Sequence, residues 1–85
     1  MEHVVYILYS RKYEKTYIGC TSNIVSRFHS HNTLATKGWT RRYRTWEVAH
    51  MEFFSTKNEA MKREKWFKTG SGRRYKDILI QELLK

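Results

Sequence analysis

The sequence predicts an α+β fold of three strands and three helices in the order β-β-α-β-α-α. Three observations carry that reading. Residues 4–9, Val-Val-Tyr-Ile-Leu-Tyr, are β-branched and aromatic without a break, as a well-buried strand is. A second such run, Thr16 to Cys20, follows a polar link from Ser10 to Lys15, and so short a connection implies an antiparallel hairpin. From residue 57 onward the apolar spacing is that of helices.

The elements follow in order. The link contains no Gly or Asn, so the hairpin turn is expected to be looser than two residues. Thr21-Ser22-Asn23 supplies an N-cap for a helix from Ile24 to about Asn32. A loop rich in Thr, Gly and Arg occupies residues 33–45, and Trp46 to Phe54 alternates as a third strand. Ser55 or Thr56 caps a second helix over roughly 57–68, which Gly70 is expected to end. Ser71 then starts a third helix on the stripe Ile78, Leu79 and Leu83, with Leu84 beside it.

At 85 residues the chain is expected to be one domain, residues 1–85, with space for a sheet and two or three helices. Its one cysteine, Cys20, cannot form an internal disulfide, and the four histidines show no zinc-ligand spacing. No stretch approaches the ~20 apolar residues of a membrane span, and the N-terminus lacks the pattern of a signal peptide. A cytoplasmic location is the expectation. Lys and Arg number 17 against 8 acids, a net charge of +9. The excess is uneven: residues 11–44 hold eight cations and one acid, whereas residues 45–56 hold two acids and no cation. Charge gathered in this way suits a polyanion partner.

Several polar residues fall on apolar faces, where burial costs free energy unless something is gained. Ala60, Glu64 and Phe67 share a helix face at i, i+4, i+7, which sets a carboxylate on the inward stripe unless it turns out to pair with Lys68. Ile24, Arg27, Phe28 and His31 form the same pattern, so an arginine and a histidine share a packing face. An arginine fork suits a phosphate oxygen, and a histidine moves protons near neutral pH. Tyr6 and Tyr17 lie on one sheet face if the hairpin closes around residues 11 and 12. Gly19 shares that face, and a glycine in mid-strand suggests the close approach of a ligand or a backbone. Asp77 is the single Asp, so a site of clustered carboxylates holding two metals cannot be assembled.

Val4-Val5-Tyr6, Tyr17-Ile18-Gly19, Arg27, His31 and Glu64 resemble, in order and spacing, the signature of the GIY-YIG nuclease superfamily. Ten residues stand between Tyr6 and Tyr17, and nine between Tyr17 and Arg27. Ala60 to Lys65, with Gly70 to Arg73 after it, is similar to the small stand-alone bacterial members. The resemblance implies a three-stranded antiparallel sheet flanked by helices, and hydrolysis of a phosphodiester with one divalent cation, Mg²⁺ or Mn²⁺. It implies Tyr6 as the tyrosine that activates the attacking water or lies beside it, Tyr17 as the second site tyrosine and Arg27 on the phosphate. His31 would stand a turn beyond, with Glu64 as the metal ligand and Gly19 as the motif glycine. Two departures stand out. The first motif lacks its glycine, and no Asn follows Glu64, where Thr69 and Ser71 are the polar candidates to replace it.

The chain therefore reads as a metal-dependent endonuclease acting on nucleic acid, with DNA the expected substrate. Tyr6, Tyr17, Arg27, His31 and Glu64 are the candidate catalytic residues. Gly19, Lys37, Arg41, Arg42, Arg44 and Arg73 are the candidate nucleic-acid contacts. Residues 39–46 interleave cations with aromatics, as single-strand binders do. A free phenol titrates near 10, so a tyrosine base needs help from a cation or from His31. One carboxylate holds Mg²⁺ loosely, its other positions being water and substrate. The rival reading is a nucleic-acid-binding module that keeps this fold without catalysis.

Overall fold

The computed structural model describes residues 2–29 and 42–85. Strands β1 (His3–Ser10), β2 (Lys15–Thr21) and β3 (Glu47–Phe54) form one antiparallel sheet in the order β2-β1-β3. Helix α1 (Ile24–His29) follows β2, and α2 (Lys57–Phe67) and α3 (Gly70–Leu83) follow β3. The architecture is α+β, with the predicted order of elements. β1 occupies the centre, which accounts for its unbroken apolar run: a central strand needs apolar side chains on both faces.

The two sheet faces carry separate cores. Val5, Ile7 and Tyr9 point to one side, where they pack with Ala60 and Phe67 of α2 and Ile80 of α3. Val4, Tyr6 and Leu8 point to the other, where Trp46 covers them and Tyr17, Ile24, Tyr43 and Val48 complete the cluster. β3 pairs His50 with Ile7 but Val48 with Leu8, so Ala49 is the extra residue of a bulge.

The hairpin closes around residues 12 and 13 rather than 11 and 12, with Ser10 opposite Lys15. Glu14, at φ 54°, supplies the left-handed residue of the four-residue turn in the absence of Gly or Asn. The register differs from the expected one by two, and side chains alternate with period two, so Tyr6, Tyr17 and Gly19 still share a face.

Helix boundaries follow local hydrogen bonds. Asn23 caps α1 by accepting from the Ser26 amide at 3.1 Å. Thr56 caps α2 by accepting from the Glu59 amide at 3.2 Å, and its hydroxyl donates to the Glu59 carboxylate at 2.9 Å. The junction of α2 and α3 differs from the expected one. Lys68 is the C-cap of α2, and Gly70 opens α3 instead of ending α2. The reason is Thr69, whose hydroxyl donates to the Trp66 carbonyl at 2.6 Å and accepts from the Gly72 amide at 3.3 Å. One side chain thus closes one helix and opens the next. A Cβ on Gly72 would collide with the Trp66 carbonyl and lie 2.5 Å from the Phe67 Cα. That glycine lets α3 start hard against the end of α2. The phase of α3 also differs: Ile80 is buried, Leu79 and Leu83 are half-buried, and Ile78 is 58% exposed. Fixing Gly72 against α2 rotates Ile78 out of the stripe and Ile80 into it.

Among the described residues no helix is long and apolar enough to cross a membrane.

Candidate active site at the edge of β2

β2 is an edge strand, and its outer rim brings two of the candidate residues, Tyr17 and Arg73, to one cleft. A cleft of about 330 Å³ is lined by Thr16, Tyr17 and Ile18 of β2, Phe67 and Lys68 at the end of α2, and Arg73 and Lys76 of α3. Three of its seven lining residues are cations. Arg73 and Lys76 sit at i, i+3 on α3, and neither has a carboxylate partner among the described residues. Lys68 has only a loose one, Glu64 at 3.9 Å. Tyr17 is half-buried, its ring 6.2 Å from Tyr6 and 6.4 Å from Trp46. Those neighbours fix the ring while part of it stays open.

Tyr6 is different. It is fully buried, and the end of its phenol lies over Gly19: a Cβ there would collide with the Tyr6 hydroxyl and come within 2.5 Å of Cζ. The mid-strand glycine does mark a close approach, and the group that approaches is the Tyr6 phenol. Gly19 and Tyr6 are thus a matched pair, in which the first makes space for the second.

Glu64 lies on α2 one turn before Lys68, on the face that also carries the buried Ala60 and Phe67. Its side chain is 23% exposed, so it occupies the rim of the inward stripe. Its charge reaches Cys20 on β2. Burial pushes the Cys20 thiol above its usual value, Glu64 pushes it further, and Lys57 partly offsets both. Among the described residues no three of His, Cys, Asp and Glu gather as a ligand cage. A single carboxylate fits a hard divalent cation that keeps most of its water and takes oxygens from a substrate; it does not fit a closed structural site.

The remaining predicted residues separate into two groups. His31, Lys37 and Arg41 lie outside the described residues, as does the side chain of Arg27, whose backbone belongs to α1. α1 packs through Ile24 into the cluster that includes Tyr17, so Arg27 belongs to the element beside that tyrosine. Arg42 rests 5.4 Å from the Tyr43 ring, and Arg44 is exposed. Of the two candidates to replace the missing Asn, Thr69 is occupied as the α3 cap and Ser71 accepts from Arg74 at 3.3 Å.

Sequence reasoning missed Lys76 and Lys68 as cleft residues, although the i, i+3 spacing of Arg73 and Lys76 was visible. It also missed the most heavily engaged carboxylate. Glu52 accepts from Arg63 Nε at 2.8 Å and Nη2 at 3.2 Å, and bonds His50 Nε2 at 2.8 Å. Burial raises its pKa, but the bonds from Arg63 and His50 and their charges outweigh that, leaving the carboxyl below its usual value. The alternation His50, Glu52, Phe54 along β3 was the available signal.

A family model described as the GIY-YIG catalytic domain matches residues 2–76. The chain belongs to the GIY-YIG family. It is 39% identical over 67 residues to a UPF0213 protein of Bacillus pumilus, covering 79% of this chain and 67% of that one. It is 37% identical over 81 residues to a UPF0213 protein of Staphylococcus haemolyticus, covering 95% and 96%. A solution NMR structure of a UPF0213 protein from Bacillus halodurans aligns with a TM-score of 0.56 at 27% identity, over 95% of this chain and 85% of that one. The fold is therefore of the nuclease type.

Proposed function

We propose that this GIY-YIG protein is an endonuclease that hydrolyses phosphodiester bonds in nucleic acid, DNA first, at the β2-edge cleft. The observation that carries the reading is Tyr17 on a cleft ringed by Lys68, Arg73 and Lys76, with Glu64 one helical turn from Lys68. Three cations converging on a concave surface suit the oxygens of a strand phosphate.

Hydrolysis forms one P–O bond from water and breaks one P–O bond of the strand. A proton leaves the water and another reaches the departing oxygen. Tyr17 is the phenol suited to hold the attacking water, because it is the half-buried one; Tyr6, sealed over Gly19, positions Tyr17 from behind. Arg73 and Lys76, with Arg27 from α1, bind the non-bridging oxygens, where negative charge grows in the transition state. Glu64 is the residue that would hold one Mg²⁺ or Mn²⁺, which when bound supplies charge stabilisation to the reacting phosphate.

The test is cleavage of plasmid, branched and single-stranded DNA with Mg²⁺, with Mn²⁺ and with chelator. Nicking that needs the metal supports the proposal. A pure protein that binds these DNAs and cuts none of them under any condition is a binding module instead.

A further inference from the structure

The β1–β2 turn carries a large aromatic residue at the surface. Tyr13 stands in the turn that joins the two strands, 40% exposed. Tyr43, from the segment before β3, meets it edge-on at 5.4 Å and 71°. Tyr43 also packs into the cluster of Tyr6, Leu8 and Trp46 with Tyr17, so it backs Tyr13 from the core. Aromatic rings thus extend from the cleft tyrosine towards the surface on one face of the sheet.

Cations surround the pair. Lys12 Nζ lies 5.4 Å from the Tyr13 centroid, and Lys15 Nζ and Arg42 Cζ each lie 5.4 Å from that of Tyr43. None of these three has a carboxylate partner among the described residues, whereas Arg11 of the same turn is matched by Glu47 at 2.6 Å. Glu14 is the one acid between Ser10 and Lys15. The patch is aromatic and cationic together, the combination that holds single strands.

We propose that Tyr13, backed by Tyr43, is a stacking platform for an unpaired nucleobase, with Lys12, Lys15 and Arg42 on the adjoining phosphates. The substrate then has single-stranded character beside the reacting bond. That last step rests on the nuclease reading; the platform does not. An exposed cation on a ring strengthens binding only about 2- to 5-fold, whereas stacking of a base gives roughly 5- to 150-fold. An incoming base therefore displaces Lys12 from the ring, and the ammonium is released to the phosphate. Bases inside a duplex offer no free face, so duplex gains only the electrostatic part.

The experiment is equilibrium binding of labelled single-stranded DNA, single-stranded RNA and blunt duplex, in chelator so that nothing is cut. Wild type is compared with Tyr13→Ala, Tyr13→Leu and Tyr13→Phe, each checked by thermal melting. Tyr13→Leu and Tyr13→Ala should weaken single-strand binding at least about 5-fold and duplex binding less than about 2-fold, while Tyr13→Phe keeps wild-type affinity. Equal losses on duplex and single strand, or a Tyr13→Leu protein that binds single strands as wild type does, overturn the platform. Should Tyr13→Ala not fold, the Leu and Phe variants decide alone. A protein that needs Tyr13 for single strands but never cleaves with Mn²⁺ keeps the platform and loses the nuclease reading.

Discussion

Phe67 separates two arginines that the chain uses in opposite ways. On one side, Arg63 is bonded twice to Glu52 and lies 4.2 Å from the Trp66 ring and 4.9 Å from Phe67 itself. On the other side, Arg73 lines the cleft with Lys76 and has no carboxylate partner among the described residues. Residue type is the same, and the partners differ. A guanidinium that spends its donors on a half-buried carboxylate holds the fold together. One left without such a partner at a concave surface keeps its donors for a ligand. Net charge alone cannot separate these uses; carboxylate placement can.

The largest test of that division concerns the open side. Tyr17→Phe removes only a hydroxyl from a ring that Tyr6 and Trp46 hold in place. Single-turnover cleavage should fall ~10²–10³-fold, about 2.7–4 kcal/mol, with affinity within about 2-fold. Cleavage at the wild-type rate makes Tyr17 a packing residue.

On the closed side, Arg63→Ala leaves the Glu52 carboxylate, whose side chain is 20% exposed, with His50 alone. Unfolding in urea should show a loss of about 1–3 kcal/mol, while Arg73→Ala stays within about 0.5 kcal/mol. Equal losses from the two variants would erase the distinction.

Acid sharpens the same contrast. The Glu52 carboxyl lies below its usual 4.5 in the folded chain, so its contribution is present above that value and is lost as pH falls through the folded value. Wild-type stability should therefore drop below about pH 4.5, and Glu52→Gln should lose part of that slope while starting lower at neutral pH. Parallel acid limbs for the two proteins contradict the Arg63–Glu52 lock.

The smallest effect is on binding. The double change Arg73→Ala, Lys76→Ala should flatten the dependence of log K on log salt by up to ~2 units on duplex DNA. An unchanged slope means the strand does not cross this cleft.

The α+β class, the element order and the shared face of the two motif tyrosines were legible in the sequence because they depend on period. The apolar run of β1 and the alternation through β2 survive an error of two in register. Local bonds were harder to see. Gly70 looked like a helix terminator, yet Thr69 caps on both sides and makes it a start. Ile78 looked like core because it is apolar and adjoins Leu79 in the stripe with Leu83, whereas Gly72 packed on Phe67 centres the buried face on Ile80. Glu64 was readable as a carboxylate on the α2 packing face, and the structure sets it at the rim of that face. The cleft itself was not readable, because it joins the edge of β2 to residues of the last two helices, far along the chain, through contacts that no local pattern encodes.

The central claim is that the β2 edge is a metal-dependent centre built on one carboxylate. Glu64→Gln keeps the size and shape of the side chain and removes its charge, and its loose Lys68 contact at 3.9 Å contributes at most about 1 kcal/mol. Plasmid nicking with Mn²⁺ and thermal melting of the same sample are therefore the most direct measurement. The account predicts an unchanged melting temperature, within a few degrees, and nicking reduced at least ~10²-fold. A folded Glu64→Gln protein that nicks as fast as wild type would contradict it.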